Sequence, residues 1–275
     1  NQALQKWDDK KAVARDPKTL EKYRTMLAEQ IQYFKVTQYF FFKQWGELKD
    51  YANQKGIKII GDMPIYVAAD SVEVWTKPEL FQLDKERNPF FVAGVPADQF
   101  SATGQLWGNP LYAWKEHKKQ GYAWWIHRIE ESFKIYDVLR IDHFKGFSDY
   151  WQVDGKADIA KYGSWQPGPG YDLFKAVKEQ LGDLPIIAED LGNIDDKARK
   201  LLADCNYPGM KILQFGFEDV SGKSLDSPHY CIPHSIVYTG THDNDVTNGW
   251  YNGLTEQQQQ YINDYTHRSE DESCL

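Results

Sequence analysis

A chain of 275 residues with 41% hydrophobic and 26% charged residues has a globular composition and room for one large or two ordinary domains, which excludes disordered, collagen-like and coiled-coil classes. Its net charge of −8 speaks against a nucleic-acid partner, because neutralising phosphates takes a clustered basic surface. No run of about 18 apolar residues is present to cross a membrane, and the polar start Asn1-Gln2-Ala3-Leu4-Gln5-Lys6 lacks the apolar segment of a signal peptide.

In chain order, Asp16 caps a helix that has Pro17 in its first turn, and Leu20, Tyr23, Leu27, Ile31 and Phe34 continue it at helical spacing. A second helix is expected over residues 38–55, stopped by Gly56. Lys58-Ile59-Ile60-Gly61-Asp62 then reads as a buried strand ending in a carboxylate. Residues 63–114 hold five prolines and no sustained period, but carry Tyr66, Trp75, Phe81, Phe90, Phe91, Phe100, Trp107, Tyr112 and Trp114. Compact domains seldom carry so long an irregular segment without a use for it, so this one is expected to be a binding insertion or lid.

After it the rhythm is regular. A helix over 118–136, with Trp124 and Trp125 in the core, leads into Val138-Leu139-Arg140-Ile141-Asp142. A Gly/Pro-rich loop over 163–170 precedes a helix over 171–181, closed by Gly182. There follow a strand over 184–190, a helix over 194–204, a strand over 210–217, a strand over 234–243, and a last helix opened by the capping box of Thr255 and Gln258. Strands this continuously apolar are buried on both faces, the mark of a parallel sheet in an α/β fold. The pattern alone admits a (β/α)8 barrel or an open doubly wound sheet.

Cys205, Cys231 and Cys274 have no CxxC spacing and are odd in number, which argues against a disulfide framework or a thiolate zinc site and for a reducing, cytoplasmic setting. Aromatic residues reach 15% in a polar chain, which fits either stacking surfaces or a large aromatic-rich core.

Four predicted strands end in acids: Asp62, Asp142, Glu189 and Asp243. In a (β/α)8 barrel the C-terminal strand ends converge on one mouth, so these carboxylates would meet there. Clustered carboxylates serve divalent metals or glycoside chemistry. Arg140, two residues before Asp142 on the same strand face, would favour an ionised Asp142, as a nucleophile needs. Glu189 has no cation in its own strand, and an apolar cleft would raise its pKa toward that of a working acid. The aromatic insertion suits the apolar faces of sugar rings better than phosphate.

At these residues the chain resembles the 4-α-glucanotransferases, the amylomaltase or disproportionating-enzyme family related to α-amylases. The resemblance is carried by Arg140-Ile141-Asp142-His143-Phe144-Lys145-Gly146-Phe147, Ala188-Glu189-Asp190-Leu191-Gly192 and Gly240-Thr241-His242-Asp243-Asn244-Asp245. Gly61-Asp62-Met63-Pro64-Ile65-Tyr66 and Gly104-Gln105-Leu106-Trp107-Gly108-Asn109-Pro110 resemble two further family motifs. The resemblance implies retaining transfer of α-1,4-glucan segments between maltooligosaccharides, without cofactor or metal. It implies Asp142 as nucleophile, Glu189 as acid/base and Asp243 as the acid that holds hydroxyls of the distorted sugar. Arg140, His242, Asp62, Trp107, Gln105 and Asn109 would contact the substrate or the nucleophile. It also implies a TIM barrel of which about strands three to seven are present, with the 63–114 insertion after strand three. Five strands cannot close a barrel, so the 275-residue chain alone is expected to be poorly active. An α-glucan hydrolase and a non-catalytic glucan-binding remnant are the alternatives.

Overall fold

The structure is a computed structural model and describes residues 3–97, 101–192 and 194–267; Asn1, Gln2, Phe100 and Cys274 lie outside the described residues. Among the described residues nine strands are formed: β1 (Ile60–Met63), β2 (Phe91–Val95), β3 (Gln105–Pro110), β4 (Val138–Ile141), β5 (Asp149–Asp154), β6 (Gly163–Pro167), β7 (Ile186–Ala188), β8 (Gly209–Ile212) and β9 (Ser235–Tyr238). Strands β1-β4-β7 make one parallel sheet and β8-β9 another. The Ala188 N–H donates to the Pro208 carbonyl at 3.0 Å and ties the two together. Spatial order among these five strands thus follows chain order, with β2, β3, β5 and β6 inserted in the first two crossovers. The α/β class and the parallel sheet read from the sequence are both present.

The reason is burial on both faces. Leu139 and Ile141 in β4 and all three residues of β7 are inaccessible or nearly so. On one side the helix Ala123–Ile135 sets Trp125 and Ile129 into the core, and Trp125 meets Phe147 with ring centroids 5.1 Å apart. A Cβ on Gly61 would lie 2.0 Å from the Tyr136 ring, so only glycine lets β1 lie against the end of that helix. Arg128 of the same helix donates to the carbonyls of Pro64 and Ile65 at 2.7 and 3.1 Å and pins the loop that follows Asp62.

Several local expectations are corrected. The first helix ends at Met26, and a continuous helix runs Ala28–Gln54, because Leu27 leaves helical geometry between them. The helix expected over 118–136 is two, Trp114–Lys119 and Ala123–Ile135, broken where Gly121 and Tyr122 take positive φ. The 63–114 segment is not irregular. It supplies β2 and β3, which join β5 and β6 in a four-stranded antiparallel sheet, and Leu80, Phe81, Leu111 and Tyr112 root it in the main core. Residues 163–167 are strand β6, not loop; only Gly168-Pro169-Gly170 is. The strand expected over 210–217 stops at Ile212, and Leu213–Glu218 is a helix. For β2, β3 and β6, pairing across the chain decided what local composition could not.

Candidate active site

Parallel register sets Asp62 of β1 opposite Arg140 of β4. Asp142 follows β4 directly, its N–H held by the Met63 carbonyl at 3.0 Å. One guanidinium nitrogen, Arg140 Nη1, donates to Asp62 Oδ1 at 2.6 Å and to Asp142 Oδ1 at 2.9 Å. Behind it, Arg140 Nε approaches the Met210 sulfur of β8 at 3.4 Å. Arg140 is 9% exposed, whereas the two carboxylates it bridges keep about two-fifths of their side-chain surface open. Burial pushes the Asp142 carboxyl above its ordinary value; Arg140 opposes this, and the charges of Asp62 and Asp243 add to it. The ion pair expected from spacing is present, but desolvation outweighs it, an effect the strand pattern does not carry.

Glu189 stands at the end of β7, beside Asp142. Its N–H is bound by Ile141 O at 2.9 Å, its Oε2 accepts from the His143 N–H at 2.8 Å, and its Oε1 accepts from the Leu191 N–H at 2.8 Å. Burial is the largest influence on its carboxyl, opposed by the two N–H donors and Arg140 and reinforced by Asp142, and the result is a pKa of about 7. A carboxyl so placed holds a proton near neutrality and can release it.

The fourth acid comes from the loop after β9. His242 Nε2 lies 4.0 Å from Asp62 Oδ2 and 3.6 Å from Asp243 Oδ2, which brings both residues to the Asp62–Asp142 side. The loop is shaped by Asn244, whose Oδ1 accepts from the Thr241 N–H at 2.8 Å. It is anchored by Gln214, 3% exposed, which donates to Asp245 O at 3.0 Å. Gln214 escaped the sequence reading, although one amide inside an otherwise apolar run was its signal.

The insertion delivers Gln105, Trp107 and Asn109 on β3. Trp107 packs edge-on against the His143 ring, centroids 4.9 Å apart, and its Nε1 donates to Gln105 Oε1 at 3.1 Å. Asn109 donates to Val67 O at 2.9 Å, so its NH2 group holds the loop beyond β1. Trp107 lines two spaces. One, about 150 Å³, also holds Asp142, Tyr66 and Asn109; the other, about 580 Å³, also holds Glu189, His143 and Gln105. All nine candidate residues are therefore gathered at one end of the parallel strands. Asp190 was quoted only as part of a motif; its Oδ1 accepts from the Met210 N–H at 2.7 Å and sutures β7 to β8.

Residues 1–274 match the family model described as 4-alpha-glucanotransferase. A 4-alpha-glucanotransferase of Streptococcus pneumoniae is 52% identical over all of this chain and 54% of its own length, and one of Thermus thermophilus is 45% identical over 91% of this chain and 50% of its own. The chain spans about half the length of the curated relatives it matches. Among solved structures, the amylomaltase from Streptococcus agalactiae in complex with acarbose superposes with a TM-score of 0.97 at 59% identity, covering 99% of this chain and 55% of that one. The amylomaltase from Corynebacterium glutamicum, 18% identical with a TM-score of 0.66 over 84% of this chain and 32% of its own, supports the fold alone.

Proposed function

The chain belongs to the 4-alpha-glucanotransferase family, and from that premise we propose that the protein of which it forms part moves α-1,4-glucan segments between maltooligosaccharides through a covalent glycosyl-enzyme. The observation that carries the reading is the pairing of two dissimilar carboxyls. Asp142 is bound to a guanidinium at 2.9 Å, and Glu189 is desolvated to a pKa of about 7. Ionised Asp142 attacks the anomeric carbon while Glu189 gives its proton to the departing glycosidic oxygen. Glu189, now a carboxylate, then takes the proton of an acceptor 4-hydroxyl, which displaces Asp142 and restores the starting state.

Asp243 and His242 hold hydroxyls of the sugar at the anomeric centre, and Asp62 and Arg140 fix the nucleophile from behind. Trp107, with Gln105 and Asn109, closes the insertion over the cleft, and the exclusion of water favours transfer over hydrolysis. The reading includes the architecture: β1, β4, β7, β8 and β9 as strands three to seven of a (β/α)8 barrel, with residues 63–114 as a lid. It also includes acarbose-like α-glucans as ligands, after the relative crystallised with that compound. It needs no cofactor. Among the described residues no helix is long and apolar enough to cross a membrane.

Incubating the full-length protein with maltotriose tests the reading. Glucose together with maltotetraose and longer products is expected, with loss of transfer in Asp142→Asn; hydrolysis products alone, or undiminished transfer in that variant, would overturn it.

A further inference from the structure

The 580 Å³ cleft is lined by Glu189 and Trp107, whereas Asp142 lines, with Trp107, the smaller space. An acid that protonates the departing oxygen stands on the side where the leaving chain exits and the acceptor enters. The cleft does not end at Glu189. It continues to Trp165 of β6, a ring 43% exposed although it faces a pocket rather than the core. Trp165 sits directly opposite Trp151 in the β5–β6 register, their centroids 5.2 Å apart and their planes 66° to each other, so its ring is braced along one edge. The Lys145 ammonium lies over one face of the ring, 4.8 Å from its centroid, so a stacked sugar would take the opposite face.

Two ion pairs line the same cleft, Lys145 with Asp195 and Lys197 with Asp149, the latter at 2.9 Å. They join the segment after β7 to β5 and the turn before it. A half-exposed, braced tryptophan flanked by paired carboxylates and ammonium groups offers an apolar face together with donors and acceptors for ring hydroxyls. This is the chemistry that a pyranose presents in reverse. A space of about 580 Å³ is of the size that encloses a whole ligand rather than a single ring.

We propose that Trp165 is the platform for the second glucosyl unit of an acceptor glucan, and that it, with the Lys145–Asp195 and Lys197–Asp149 pairs, makes an oligosaccharide a better acceptor than glucose. The inference rests on the transfer reading above. A glucose acceptor occupies the position next to Glu189 and stops short of Trp165; a longer acceptor reaches it.

The test uses full-length protein with α-maltotriosyl fluoride as donor and either glucose or maltotetraose as acceptor. In Trp165→Ala the ratio of kcat/KM for maltotetraose to that for glucose is expected to fall about tenfold, the size of one aromatic stacking contribution. Trp165→Phe, which keeps a ring, is expected to retain most of the ratio. A ratio unchanged in Trp165→Ala would overturn the proposal, and so would an equal loss for both acceptors, the signature of a merely structural residue. If wild-type protein transfers to neither acceptor, the parent reading fails instead, and that outcome is distinct from a wild-type enzyme whose acceptor preference ignores Trp165.

Discussion

The backbone N–H of His143 donates to Glu189 Oε2 at 2.8 Å, and to aim it there His143 adopts a left-handed conformation with φ 51° and ψ 50°. For a residue with a side chain such geometry costs about 1–2 kcal/mol. It reverses the chain immediately after Asp142, so the nucleophile candidate and the donor to the acid candidate are consecutive residues. With Leu191 N–H on Oε1, each Glu189 oxygen accepts one backbone bond, and a proton takes one of the lone-pair sites left over. The His143 imidazole is pushed down to about 4 by burial, with Lys145 adding to the effect, so it stays neutral beside Trp107 across the working range.

A pH dependence of activity follows. The acid step requires protonated Glu189, whose pKa is about 7. Transfer activity of the full-length protein should therefore decline as pH rises through about 7, by close to tenfold for each further unit. A pH profile of kcat/KM with maltotriose that is flat from pH 6 to 9 would contradict this assignment.

Stability responds to the same group. Because burial raises the Glu189 pKa above its unfolded value, its protonated form is favoured on folding, and the contribution is fully present below the unfolded pKa and lost as pH rises through about 7. Asp142 and Asp190, both raised by burial, act in the same direction. Glu189→Gln, which removes the titrating group at constant size, should flatten the fall in melting temperature between pH 5 and 8. Parallel thermal melts of the two proteins across that range measure the difference.

Much of this was legible before any coordinates. The apolar runs at β4 and β7 end in acids because a buried parallel strand can place a carboxylate only where it emerges, so period and position brought out Asp142 and Glu189; β1, expected to be buried, alternates exposed and buried residues and carries Asp62 within the strand on its exposed face. What the sequence could not carry was pairing between distant segments. Strand β2 hides in a proline-punctuated stretch because its partner β5 lies some distance along the chain, β3 pairs only with β2, and β6 begins on a glycine. Nor does spacing reveal desolvation. The upward push on Asp142 arises from everything packed around it, whereas the strand pattern contains only Arg140 two residues away.

The Arg140 guanidinium holds two acids with one nitrogen while leaning on Met210, so loss of its charge leaves Asp62 and Asp142 facing one another unneutralised. Arg140→Ala should raise the Asp142 pKa further, move the acidic limb of the pH profile upward and lower transfer at least about 100-fold, the scale of losing a positioned charge in a catalytic site. Arg140→Lys, a point charge without the planar fork, should recover part of the rate but not the position of the limb. Identical acidic limbs in wild type and Arg140→Ala would remove Arg140 from the account.

The suture at Asp190 makes the last prediction, and it concerns the fold that carries the site. Asp190 immediately follows Glu189, and its carboxylate takes the Met210 N–H at 2.7 Å; Met210 in turn meets Arg140 through sulfur. Asp190→Ala leaves that N–H without its partner, at a cost of about 1–3 kcal/mol. Asp190→Asn keeps an acceptor oxygen and should lose less. Gly209→Ala should resemble Asp190→Ala, since a Cβ there would fall 2.4 Å from the Asp190 carboxylate and displace it. Alongside the Ala188–Pro208 backbone bond this contact helps join β7 to β8, and Asp190→Ala and Gly209→Ala should be far from additive when combined, because both break the same bond. Denaturant melts of the two single variants and the double variant measure that coupling, and strict additivity would mean that Gly209→Ala does not act through the Asp190 contact.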